Sequence, residues 1–167
     1  EYLGGYTILT ERNGRRLQWS GLADPAAFNG MDFASAETTD KPIIRAMVWR
    51  DTLILFKSES LEQWTRTGLA GPDAFARIPG GDIETGLRDF GLITKFPNGA
   101  AFVSSDGRVY LWAGTPAPIS SPPVEVALTE HKPETMFYYE RRGHGIICIA
   151  FRDCPAWCYD IATGEWH

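Results

Sequence analysis

Short apolar runs separated by turn residues set the pattern of this chain. Thr52–Phe56 (TLILF), Ala100–Ser104 (AAFVS), Val109–Trp112 (VYLW), Phe137–Tyr139 (FYY) and Gly145–Phe151 (GIICIAF) are short and rich in β-branched and aromatic residues, as half-buried strands are. Asn13-Gly14, Asn98-Gly99, Asp106-Gly107 and Arg142-Gly143 stand between such runs. The first three pairs are strong hairpin signals, because both residues accept positive φ. No amphipathic run of a dozen residues with capping signals is visible, so the pattern predicts consecutive antiparallel hairpins and not paired helices.

The pattern repeats. Trp19, Trp64, Trp112 and Trp157 are separated by 45, 48 and 45 residues, and the same offsets carry Thr52–Phe56 onto Thr7–Glu11, Ala100–Ser104 and Gly145–Ile149. A period in the mid-forties belongs to propeller blades or to paired-helix solenoids, and the strand pattern selects blades. The expected fold is all-β: a β-propeller-like array of about four antiparallel blades in a single domain, 1–167, with units at about 1–42, 43–89, 90–134 and 135–167. In each unit an inner strand, a second strand and a Trp-bearing third strand are followed by an irregular outer segment. The inner strand of the first unit should lie about two dozen residues before Trp19. The first and last blades are therefore expected to be incomplete, and the chain reads as a piece of a larger propeller, since stacked repeats need capped or closed ends.

Composition narrows the function. With 44% apolar and 13% aromatic residues the chain can build a substantial core. A net charge of −5 and a pI near 5.2 argue against a nucleic-acid-binding face, which would show clustered Lys and Arg. Arg12, Arg15, Arg16, Arg141, Arg142 and Arg152 fall in or near hairpins and read as solvated edge residues. No stretch approaches the ~18 apolar residues of a membrane helix.

Candidate chemistry is thin. The histidines are His131, His144 and His167, with no nucleophile elbow, metalloprotease motif or phosphate loop. Pro79-Gly80-Gly81-Asp82 reads as a turn. Asp82 and Glu84, two apart, share a face if extended and are the pair that acid–base or calcium chemistry would use; a solvated acidic loop is the simpler reading. Ser104-Ser105-Asp106-Gly107-Arg108 misses the sialidase aspartate box by the position of its Gly. Cys154 and Cys158, if extended in one strand, would be about 13 Å apart at ~3.3 Å per residue, beyond the ~7 Å limit for a bridge. Cys148 can face the neighbourhood of Cys158 across a hairpin centred on Asp153-Cys154-Pro155, with His144 near in sequence. Cys-x3-Cys is a poor match to zinc spacing, so the three cysteines are read as reduced, at least partly buried thiols. No catalytic residue, cofactor or metal is expected.

Two segments carry resemblances. Tyr159-Asp160 through Thr163-Gly164-Glu165-Trp166 resembles the ending of kelch-type blades. Leu17-Gln18-Trp19-Ser20-Gly21-Leu22-Ala23-Asp24-Pro25, Asp32-Phe33-Ala34-Ser35-Ala36-Glu37, Glu62-Gln63-Trp64 and Phe75-Ala76-Arg77-Ile78-Pro79-Gly80 with Ile83-Glu84 and Gly86 resemble, in order, the packaged-DNA stabilisation proteins of short-tailed phages. The segment Ala113–Pro133 departs from that pattern.

The phage resemblance implies a non-enzymatic virion protein of the head-to-tail connector or tail hub, in a hexameric ring that helps retain packaged DNA. Its implied partners are further copies of itself, the adaptor or connector, and the tail needle or tailspike. Sequence-specific nucleic acid and membrane are not among them. Assembly in the bacterial host cytoplasm is implied. A rigid acidic β scaffold suits this role, because it would not grip DNA moving through a channel. The long loops Asp24–Glu37 and Gly71–Gly86 are the expected partner contacts, through Asp24, Pro25, Phe28, Asp32, Phe33, Glu37, Phe75, Arg77, Asp82 and Glu84. The alternative is a kelch-like module binding a carbohydrate or protein ligand.

Overall fold

The computed structural model describes residues 1–167 and contains four antiparallel sheets, each a four-stranded meander in chain order. The first holds β1 (Tyr2–Leu3), β2 (Tyr6–Thr10), β3 (Arg16–Gly21) and β4 (Asp24–Ser35), and the second β5 (Arg45–Trp49), β6 (Thr52–Phe56), β7 (Leu61–Arg66) and β8 (Phe75–Arg77). The third holds β9 (Ile93–Phe96), β10 (Gly99–Val103), β11 (Val109–Trp112) and β12 (Pro116–Pro118), and the last β13 (Pro133–Arg141), β14 (His144–Phe151), β15 (Trp157–Asp160) and β16 (Glu165–Trp166). The first and last sheets, expected to be incomplete, also have four strands; their terminal members β1 and β16 are two residues long.

The repeat has a structural counterpart, since all four tryptophans lie on third strands. Trp19 opposes Ile8 and Trp64 opposes Leu53, partners separated by the same 45 residues as the tryptophans. In the third sheet Trp112 opposes Ala100, one residue off that frame. In the last sheet the frame slips further: Trp157 opposes Ile149 beside a short turn and is half-buried. Tyr159 is the buried aromatic there, 5.1 Å from the Trp166 ring. Trp19 and Trp112 are wholly buried.

Middle strands show why the runs read as strands without clean alternation. Leu53–Phe56 and Gly99–Val103 are buried at every position, so both faces of these strands are apolar and periodicity is lost. Turns follow the glycines, for differing reasons. Gly4-Gly5 and Arg142-Gly143 join their strands as two-residue hairpins with φ of 54 and 96°, and of 52 and 82°, the positive pair that matches strand twist. Asn98-Gly99 has no positive φ of that kind. Gly99 is required because a Cβ there would run into the Trp112 carbonyl.

Three expectations need correction. Phe75–Arg77, inside the expected loop Gly71–Gly86, is strand β8, paired with β7 at Trp64↔Arg77 and Arg66↔Phe75. Asp24–Ser35 is not a loop: it pairs with β3 at Gly21↔Asp24, Ser20↔Phe28 and Gln18↔Phe33, with irregular register between these contacts. The outer segment of the third unit, expected to be irregular, forms β12 and then a helix, α1 (Pro122–Glu130). Its start was legible, since Ser121 followed by Pro122 places a residue of N-cap type before a proline at N1.

The chain divides into two units, Glu1–Gly86 and Leu87–His167. The first has its core between its two sheets, where Tyr6 and Trp19 pack on Phe75 with ring centroids 5.4 and 5.1 Å apart. In the second, Val124 and Leu128 of α1 join Val103, Val109, Ile147 and Ile149. No helix is long and apolar enough to cross a membrane.

Candidate functional site

In the first unit, the segment linking β4 to β5 is held by charge. Lys57 follows β6 and Glu62 lies in β7, with Lys57 Nζ 2.8 Å from Glu62 Oε1 and both side chains wholly buried. Lys57 Nζ also donates to the carbonyls of Ala36 and Thr39, each at 2.9 Å, which accounts for the three donors of an ammonium. Glu62 accepts from the Thr38 amide at 2.8 Å and from Trp64 Nε1 at 3.1 Å. Burial alone would raise the Glu62 carboxyl, but hydrogen bonds from Lys57 and Thr38 outweigh it and hold its pKa below the ordinary value.

Thr38 and Thr39, which partner this pair, also line a pocket of about 450 Å³ with Glu59, Ser60, Asp82, Ile83 and Glu84. Ile83 is drawn against the start of β7, exchanging backbone hydrogen bonds with Leu61 at 2.9 and 3.1 Å, so Asp82 and Glu84 reach the rim. Asp82 is already engaged: Thr38 Oγ1 donates to it at 2.9 Å and Arg77 forms an ion pair with it. The wall offers hydroxyls and carboxylates, and its negative charge repels a phosphate backbone.

The ten residues expected to meet partners separate into groups. Asp24, Pro25, Phe28 and Phe33 are exposed on β4, and Met31 beside them is 68% exposed. The Arg16 guanidinium lies 3.9 Å above the Phe33 ring, an arrangement that keeps an exposed aromatic in place. Glu37, Arg77 and Glu84 are exposed, and Asp82 is half-buried at the pocket. Asp32 and Phe75 are buried. Phe75 belongs to the core, which removes it from an accessible contact surface. Asp32 turns inward, and its Oδ1 has no hydrogen-bond partner.

Sequence reasoning missed Lys57 and Glu62. Their signal was a charge immediately after TLILF and another directly before Gln63-Trp64, at positions that a hairpin faces inward. The reading of three reduced cysteines is also corrected: Cys148 and Cys158 form a disulfide with Cα atoms 4.2 Å apart, leaving Cys154 free. They are cross-strand partners. Cys158 exchanges its backbone hydrogen bonds with His167 on its other side, at 2.9 and 2.8 Å, so the cysteines form the closer, non-hydrogen-bonded kind of pair. Nearby, His144 Nδ1 lies 2.6 Å from Asp160 Oδ2. Burial would raise the Asp160 carboxyl, but the Ala162 amide and His144 lower it.

The family model described as Bacteriophage P22 Gp10, beta-propeller, matches residues 1–166. The chain belongs to this phage-stabilisation family. No curated protein matches it. Among solved structures it is similar to the Dos1 propeller, at TM-score 0.59 and 12% identity over 99% of this chain and 51% of that one. It is also similar to the computationally designed Ika8 protein, at TM-score 0.53 and 12% identity over 99% of this chain and 46% of that one. The chain thus spans about half the length of these structures, and at such identity the likeness shows the fold alone. Within the family, the successive meanders with Trp on each third strand are propeller blades, and the protein is a phage structural protein.

Proposed function

We propose that this protein acts in the head-to-tail connector or tail hub of the phage particle, assembled as a ring that helps retain packaged DNA. The match to the phage-stabilisation family over residues 1–166 carries this reading. The pocket chemistry supports it. Asp82, the carboxylate best placed for acid–base work, is held by Arg77 and Thr38, and a net charge of −5 keeps the body from gripping DNA. The exposed Phe28, Met31 and Phe33 of β4 supply an apolar contact face. The adaptor ring, the tail needle or tailspike and further copies of the chain are its partners.

Light scattering on the complete protein, eluted with and without the connector adaptor, tests this. The expected result is a multimer that co-elutes with the adaptor, weakened in Phe28→Asp and Met31→Asp. A monomer that ignores the adaptor contradicts it. The competing reading, a propeller module with a carbohydrate ligand, rests on the oxygen-lined pocket; glycan binding abolished by Asp82→Asn or Glu84→Gln would favour it.

A further inference from the structure

In the second unit, one cluster brings together three different metal-ligating groups. His131 ends α1, its amide donating to Ala127 O at 2.9 Å. Asp153 and Cys154 lie in the turn between β14 and β15. Backbone contacts tie the two segments: Arg152 N donates to Lys132 O at 3.1 Å, and Lys132 N donates to Asp153 Oδ1 at 3.4 Å. The result is that a ring nitrogen of His131, a carboxylate oxygen of Asp153 and Cys154 Sγ all lie within 4.8 Å of one another.

The distance between His131 and Asp153 suits two ligands of one ion. His131 Nδ1 is buried and makes no hydrogen bond. Asp153 Oδ2 is 3.4 Å from it, an ion pair when the ring is protonated, and longer than the usual hydrogen-bond range of about 2.7–3.2 Å. A tetrahedral zinc ion with bonds of about 2.0–2.2 Å to nitrogen and oxygen and about 2.3 Å to sulfur sets its ligand atoms roughly 3.3–3.6 Å apart. The 3.4 Å between His131 Nδ1 and Asp153 Oδ2 is an edge of that tetrahedron, and Cys154 Sγ, within 4.8 Å of a ligand atom of each and donating to Pro155 O at 3.5 Å, would turn from that carbonyl to the ion.

We propose that His131, Asp153 and Cys154 form a zinc(II) site whose fourth position opens on the adjoining pocket. That pocket, of about 350 Å³, is walled by Pro123, Val126 and Trp157 and carries Glu130 and His167 as further donors. A mixed nitrogen, oxygen and sulfur set selects zinc over magnesium or calcium, which take oxygen ligands. The ion would fasten the end of α1 to the β14–β15 turn. The site has no sequence signature, because His131 stands far from Cys154 and the other two ligands are adjacent. It is independent of the connector reading.

The test titrates cobalt(II), then zinc(II), into the whole protein with Cys148–Cys158 oxidised, so that Cys154 is the free thiol. Expected are one cobalt per chain with a near-ultraviolet thiolate charge-transfer band, and displacement by one equivalent of zinc. Cys154→Ser should abolish the band, and His131→Gln should weaken binding by about tenfold or more, with circular dichroism unchanged. Glu165→Gln, away from the cluster, should bind as the parent does. If Cys154→Ser does not fold, alkylating Cys154 in the folded parent must abolish the band instead. No band at equimolar cobalt, or a band that survives loss or alkylation of Cys154, overturns the proposal.

Discussion

Lys57 Nζ lies 2.8 Å from Glu62 Oε1 inside the first unit, with neither side chain exposed. Such a pair is costly to desolvate, and replacing both members with apolar residues is often neutral. Here it should not be, because the pair also partners Ala36 O, Thr39 O, the Thr38 amide and Trp64 Nε1. Lys57→Met or Glu62→Gln is predicted to cost about 3–5 kcal/mol. The double Lys57→Met/Glu62→Leu should cost less than the sum of the two single changes, but still on the order of 2 kcal/mol, for the groups left unpaired. Urea unfolding of the three variants measures this, and a neutral double variant would contradict it.

Acid should act through the same pair. The Glu62 pKa is lowered by folding, so its contribution is complete above the ordinary value of 4.5 and disappears as pH falls through the lower folded value. Asp160 is shifted in the same direction. The urea midpoint is predicted to hold near neutrality and fall below about pH 4.5. In Glu62→Gln the acid limb should be shallower; an unchanged limb would show that Glu62 is not the group responsible.

The Cys148–Cys158 bridge closes a short loop across the last hairpin. Chain-entropy arguments give such a closure about 2–3 kcal/mol. Reduction, or Cys148→Ala with Cys158→Ala, is predicted to lower stability by that amount. Thiol titration of the unfolded protein should find one thiol before reduction and three after it. Three thiols in the protein as purified from an oxidising buffer would contradict the pairing.

Strand order was legible in the sequence because hairpin turns and third-strand tryptophans recur at a nearly fixed offset. What escaped did so for identifiable reasons. Gly4-Gly5 was a hairpin signal that supplied the missing first strand β1, and Ser121-Pro122 was a helix start inside a segment that matched no repeat. Asp24–Ser35 read as a loop because Pro25, Gly30 and Asp32 disguise a strand of irregular register. The Lys57–Glu62 pair and the cluster around His131 escaped because each depends on which side chains a fold turns inward or brings together, and no local spacing records that.

The tryptophans provide a graded test of the repeat. Trp19 is wholly buried and donates from Nε1 to Gly71 O at 2.9 Å, whereas Trp157 is half-buried at a slipped register. Trp19→Ala is predicted to cost about 3–5 kcal/mol and Trp157→Ala clearly less, by denaturant unfolding. Equal costs would mean that the fourth repeat is anchored as the first is.

The connector role is tested most directly by the DNA content of particles assembled without this protein. Heads should fill normally and then lose their DNA, so that purified particles yield nuclease-sensitive genomes, and supplying the complete protein during assembly should restore retention. Particles that keep their DNA equally well in its absence would contradict the account.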